Sequence, residues 1–212
     1  LFLRIRRLLF LMPIVLLMAS CSVLSREHSL LSALEKLAEY EEEFNEQQKP
    51  LIELEKKEKE IYDDIMSLGM KQFSEIVSLS EEALKIIEKR KKRIKKEYDS
   101  IQLAKKQLEA VKKELPSFSD QPIKEEASHL AQLLEKRYMT YDKLYNDYQQ
   151  ALQLETELYR MFQNKELTLE QLEQQVAKIN STYDEIKKAN EQFNRYTVQY
   201  NEGKKALFNK LK

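Results

Sequence analysis

Ile87-Glu-Lys-Arg-Lys-Lys-Arg-Ile94-Lys-Lys-Glu-Tyr-Asp-Ser-Ile101-Gln-Leu-Ala-Lys-Lys-Gln-Leu108-Glu-Ala-Val-Lys-Lys-Glu-Leu115 is the stretch that decides the fold. An apolar residue returns at every seventh position, with Ala83, Ala104 and Val111 on the same side. Two helical turns separate such residues, so the repeat draws one apolar stripe along a helix that packs on other helices. Downstream, about 120–164 repeats at Ile123, Ala127, Leu130, Leu134, Arg137, Tyr141, Leu144, Tyr148, Ala151, Glu155, Leu158 and Phe162. The last segment, about 168–211, carries Leu172, Val176, Ile179, Tyr183, Ile186, Asn190, Phe193, Thr197, Tyr200, Leu207 and Leu211. Upstream, about 27–68 turns Leu30, Leu34, Leu37, Phe44, Leu51, Ile61 and Ile65 inward.

The breaks between these segments are written in turn chemistry. Ser67-Leu-Gly69 ends the first helix, because glycine takes the left-handed terminal position at little cost. Pro116 to Pro122 makes a turn and an N-cap, and Thr168 with Gln171 forms a capping box. Pro50, inside the first segment, predicts a kink or break there. With two glycines and four prolines in 212 residues and 34% charged residues, sheet is disfavoured. The fold class is all-α: a four-helix up-and-down antiparallel bundle, with helices at about 27–68, 70–115, 120–164 and 168–211 of one domain spanning 27–212. Net charges of −7, +5, −3 and +2 on successive helices favour neighbours of opposite sign.

The N-terminus sets location. Arg4, Arg6 and Arg7 precede an apolar run from Leu8 to Met18, followed by Ala19, Ser20 and Cys21, the single cysteine. This is a signal-peptide layout, and a run broken by Pro13 and short of the roughly 20 apolar residues of a spanning helix argues against a permanent span. Leu-Met-Ala-Ser-Cys21 resembles a bacterial lipobox. Residues 1–20 are read as a lipoprotein signal peptide cut between Ser20 and Cys21, with 21–26 a lipidated tether. Two or three acyl chains, palmitate among them, hold a protein on a bilayer where one is marginal. Leu1 is read as a non-AUG start translated literally or as a slight truncation. The mature chain carries 33 basic against 36 acidic residues, so a nucleic-acid partner is not favoured.

The segment from Phe44 through Pro50 and Gly69 to Phe73, together with Lys136-Arg-Tyr-Met-Thr-Tyr-Asp-Lys-Leu-Tyr145 and Leu167-Thr-Leu-Glu-Gln-Leu-Glu-Gln-Gln-Val-Ala-Lys-Ile-Asn180, resembles the YkyA-type cell-wall-binding lipoproteins. The resemblance spans essentially the whole mature chain. It implies a four-helix bundle, a lipid anchor, and display on the outer face of the cytoplasmic membrane of a Gram-positive cell.

Candidate chemistry is sparse. Neither His28 nor His129 has a second ligand at helical spacing that stands out from the general excess of carboxylates, so no metal or other cofactor is expected, and no phosphate loop or nucleophile elbow occurs. Pairs such as Glu55 and Glu58 read as a solvated face. Lys89 to Lys96 holds seven cations in eight residues, including Arg90, Lys92, Arg93 and Lys96. This run either neutralises acidic Glu39 to Glu46 or contacts peptidoglycan, an anionic wall polymer or lipid headgroups. Tyr138, Tyr141, Tyr145 and Tyr148 share an arc of about 80°, with Tyr159 on it. They are core and core-margin rings, or, if exposed, a ladder for stacking on glycans. Antiparallel folding brings Glu41, Glu97, Arg137 and Asn190 to similar heights, which predicts a buried polar layer that sets helix register. The functional expectation is an anchored bundle that binds wall or envelope components without catalysis. The alternatives are a scaffold for another envelope protein and a wall hydrolase.

Overall fold

The computed structural model describes residues 25–68, 70–117 and 120–210. The expected signal peptide, Ser20, Cys21, most of the tether, the Gly69 stop and Leu211 lie outside these residues. Among the described residues five α-helices follow in order: α1 Ser25–Tyr40, α2 Glu42–Ser67, α3 Phe73–Glu114, α4 Gln121–Met161 and α5 Leu169–Lys210. The first two share one leg of the bundle, so four legs run up and down. At 1.5 Å per residue, α3 and α5, with 42 residues each, span about 63 Å.

The expected stripes face inward. Ile87, Ile94, Ile101, Leu108 and Leu115 are all buried, as are Leu30, Leu34, Leu37, Phe44 and Leu51 opposite them. Two apolar clusters fill the rod. One runs from Leu30 to Leu207 at the end where the chain enters, and the other surrounds Ile87, Leu152 and Ile179 toward the far end. Both expected caps form. Asp120 accepts from Ile123 N at 2.9 Å, and Thr168 and Gln171 exchange bonds of 3.1 and 3.2 Å. Gly203, inside α5, lets α4 come close, since a Cβ there would stand 2.7 Å from Leu130 Cδ2.

The break expected at Pro50 occurs instead at Glu41, and α2 runs on through Pro50. Its cause is on the neighbouring helix. Ser100 Oγ of α3 donates to Tyr40 O and accepts from Phe44 N at 3.2 Å. Those two backbone groups would otherwise pair with each other as an i to i+4 helical bond. A serine hydroxyl inserted into the ladder satisfies both and opens it, which turns Glu41 into the core. Pro50 removes one donor from the helix but inserts nothing into it.

Candidate functional site: two buried arginine centres and an outer lysine stripe

Each apolar cluster encloses one arginine. Arg137 of α4 donates from Nη1 to Glu41 Oε1 at 2.6 Å and from Nε to Thr197 Oγ1 of α5 at 2.8 Å. Its guanidinium lies 4.3 Å from the Phe193 ring centroid, and the Tyr138 hydroxyl donates to the same Glu41 oxygen at 2.5 Å. Three legs are thus tied at one point. Burial pushes the Tyr138 hydroxyl well above its ordinary range, and the negative Glu41 adds to the shift, so it remains a donor.

Arg90 of α3 ties all four legs. Its Nη1 donates to Glu58 Oε2 of α2 at 2.5 Å and to Glu155 Oε2 of α4 at 2.8 Å. Nη2 donates to the Tyr183 hydroxyl of α5 at 2.8 Å, and Nε to the Tyr148 hydroxyl at 2.9 Å. Both tyrosines pass the polarity on: Tyr183 donates to Glu155 Oε1 at 2.6 Å and Tyr148 to Glu55 Oε1 at 2.7 Å. One guanidinium thus faces three carboxylates, which if all ionised would leave a net charge of −2 in the core. Burial, the leading cause, raises Glu55 and Glu58 above the ordinary carboxylate range against the pull of Arg90, and repulsion from Glu155 adds to it. The cluster therefore takes up a proton at higher pH than free carboxylates do. Beside it, between Glu58, Arg90, Tyr159 and Tyr183, lies a cavity of about 20 Å³, room for one water.

Glu97 stands between the two centres and pairs with no cation among the described residues. It accepts from the Tyr141 hydroxyl at 2.9 Å and from Gln48 Nε2 at 2.6 Å. Burial pushes its pKa up to about 8, with the Tyr141 bond opposing and Glu55 adding to the rise.

The four residues expected to form one polar layer are all buried, but they divide between sites. Glu41 and Arg137 pair directly, Glu97 belongs to the Tyr141 and Gln48 site, and Asn190 is buried on α5. Glu55 and Glu58 do not form a solvated face. Arg90 draws both inward, and Glu58 is 4% exposed. Three residues offered as external contacts are also corrected. Arg90, Tyr138 and Tyr159 are 1%, 0% and 2% exposed, because each lies on the inward side of its helix and reaches a buried carboxylate or carbonyl. Tyr145 sits at the margin, stacked on Tyr98 with centroids 4.0 Å apart. No repeat singled out Arg90, because six neighbouring cations hide its position one turn from Ile87 and Ile94.

The rest of the basic run faces out. Lys91 pairs with Glu88 at 2.7 Å, Lys95 with Asp99 at 2.5 Å, and Lys96 with Glu43 at 3.4 Å. Arg93 donates to Gln47 at 2.7 Å. Lys89 and Lys92 enter no ion pair among the described residues, so neutralisation of the acidic segment accounts for only one contact of the run, Lys96 with Glu43. Among the described residues, no helix is long and apolar enough to cross a membrane and no group of side chains could hold a metal ion.

Fold and interior together define an antiparallel four-legged helical bundle whose core is locked by two arginine-centred networks. The chain belongs to the YkyA family, described as "Putative cell-wall binding lipoprotein", which it matches over residues 25–210. It is 37% identical over 193 residues to the uncharacterized lipoprotein YkyA of Bacillus subtilis (strain 168), across 91% of this chain and 86% of that protein. Its fold is similar to the crystal structure of a conserved protein of unknown function from Staphylococcus aureus. The TM-score is 0.66 at 16% identity, covering 85% of this chain and 91% of the other.

Proposed function

We propose that this chain is an envelope lipoprotein, anchored through acylated Cys21 on the outer face of the cytoplasmic membrane, whose bundle binds cell-wall material without catalysing a reaction on it. The observation that carries this reading is family membership across the whole described bundle. The interior supports it. The convergent carboxylates Glu55, Glu58 and Glu155 are engaged by Arg90 and tyrosine hydroxyls, and the adjoining cavity of about 20 Å³ has no room for a glycan. Binding therefore falls to the outer surface.

A scaffold for another envelope protein is the second reading. It draws on an open apolar crevice of about 220 Å³ at the end away from the anchor, lined by Met66, Phe73 and Leu169 among others. Against it, the exposed large apolar residues Ile52, Leu103, Met139 and Val198 are spread over four helices and form no strip. The test is sedimentation of the chain with purified wall sacculi at low salt. Retention in the pellet is expected, and a chain that stays in the supernatant contradicts direct wall binding.

A further inference from the structure

Four lysines of α3, Lys85, Lys89, Lys92 and Lys96, are exposed and stand at spacings of four, three and four residues, so they share one outward face. At 1.5 Å per residue they climb about 16 Å in steps of about 4.5 to 6 Å. Like charges three and four apart on a helix repel one another, and each such pair costs a few tenths of a kcal/mol. The fold offers little in return. Lys96 reaches Glu43 at 3.4 Å, while Lys85 and Lys89 share the field of Glu82, a carboxylate already held by Lys57 at 2.8 Å. Lys92 has no acidic partner among the described residues. The acids flanking the stripe are already neutralised, Glu88 by Lys91 and Asp99 by Lys95, and Glu81, one turn beyond Lys85, bounds it. A row of positive charge is left facing water.

We propose that this lysine stripe is the wall-binding surface and that its ligand is a linear polyanion of phosphodiester-linked repeats. The inference rests on the wall-binding reading above and names the component bound. Ammonium groups in file along a straight helix converge on no single point, so they do not build a pocket for a compact anion. They match a chain of single negative charges lying alongside, one per repeat. Phosphodiesters stay ionised at every physiological pH, and lysine engages them as a hydrated point charge without the bidentate geometry arginine would impose. Anionic lipid headgroups have the same chemistry but not the same reach. Lys96 lies 18 residues, about 27 Å, from the end of α3 nearest the chain's entry, well beyond the roughly 8–10 Å over which surface charge acts at physiological salt.

The test titrates full-length chain in neutral detergent against a poly(glycerol phosphate) probe, against anionic phospholipid vesicles, and against sacculi with and without their anionic polymer. Four phosphate contacts predict that polymer affinity falls about 50-fold over a fourfold rise in salt. K85Q/K89Q/K92Q/K96Q is expected to lose at least tenfold in affinity and most of the salt slope, with a thermal melt at or slightly above the parent's. The control K178Q/K187Q, on the exposed face of α5, is expected to bind as the parent does. Equal polymer binding by parent and quadruple variant overturns the inference, as does vesicle binding that matches polymer binding. Retention of the parent on polymer-stripped sacculi to the same extent as on complete ones overturns the polymer assignment and leaves wall binding standing. Retention on neither overturns both.

Discussion

Arg137 and Glu41 meet at 2.6 Å from 96 residues apart in sequence, and Glu41 is the residue at which α1 gives way to α2. The two facts have one explanation. A regular helix through residue 41 would keep its backbone ladder closed, and the opening made by Ser100 turns the carboxylate toward the guanidinium. An ion pair and a helix break are therefore parts of a single register lock between the first, second and third legs.

Breaking this lock from one side is expected to be costly. R137M leaves Glu41 buried without its cation and should destabilise the bundle by about 3–5 kcal/mol, whereas R137M/E41M, which removes both charges, should recover most of that loss. Urea unfolding of the two variants measures the difference. A double variant as unstable as the single one would show that the pair contributes more than mutual neutralisation.

Ser100 is small and carries two backbone bonds at the break. S100A strips a partner from both Tyr40 O and Phe44 N and should cost about 1–3 kcal/mol, with hydrogen exchange accelerated locally around residues 40–44. Unchanged exchange there would mean that the ladder closes by itself when the hydroxyl is gone.

Much of this was legible in the sequence. The seven-residue stripe, the four legs and both caps follow from apolar period and turn residues, and antiparallel register alone brought Glu41 to the height of Arg137. The far-end centre was legible only in part, for Tyr148, Glu155 and Tyr183 fall on the expected stripes while its arginine and the acids of α2 do not. Arg90 is one cation among seven, and Glu55 and Glu58 sit in a helix so acidic that no pattern marks them as inward. What distinguishes them is a partner on another leg, and heptad spacing gives the height of such a partner, not its angle. Ser100 was hidden for the same reason. A serine at the edge of an apolar stripe carries no sign that its hydroxyl enters a neighbouring helix.

Glu97 makes stability depend on pH. Its folded pKa, about 8, lies above its ordinary value of 4.5, so the fold binds its proton more tightly than the unfolded chain does. Its contribution is fully present below pH 4.5 and is lost as pH rises through about 8. E97Q should flatten that fall and stabilise the bundle at pH 9 by on the order of 2 kcal/mol. Gln48 can turn its amide over to meet the new donor, since its own Oε1 is buried without a partner among the described residues. Thermal melts of parent and E97Q from pH 5 to 9 check this, and parallel curves would contradict it.

Anchoring is expected to depend on one thiol. Cys21→Ser should abolish incorporation of labelled fatty acid and move the protein out of the membrane fraction or leave its precursor uncut. Labelling and fractionation equal to the parent's would place the anchor elsewhere.

Crosslinking in intact cells of the source organism tests wall binding most directly, because it reads the partner without choosing it beforehand. The account predicts high-mass adducts that muralytic digestion shortens to a smear just above the free chain, the length of whatever wall polymer stays crosslinked. A discrete adduct with one protein, indifferent to that digestion, would contradict it.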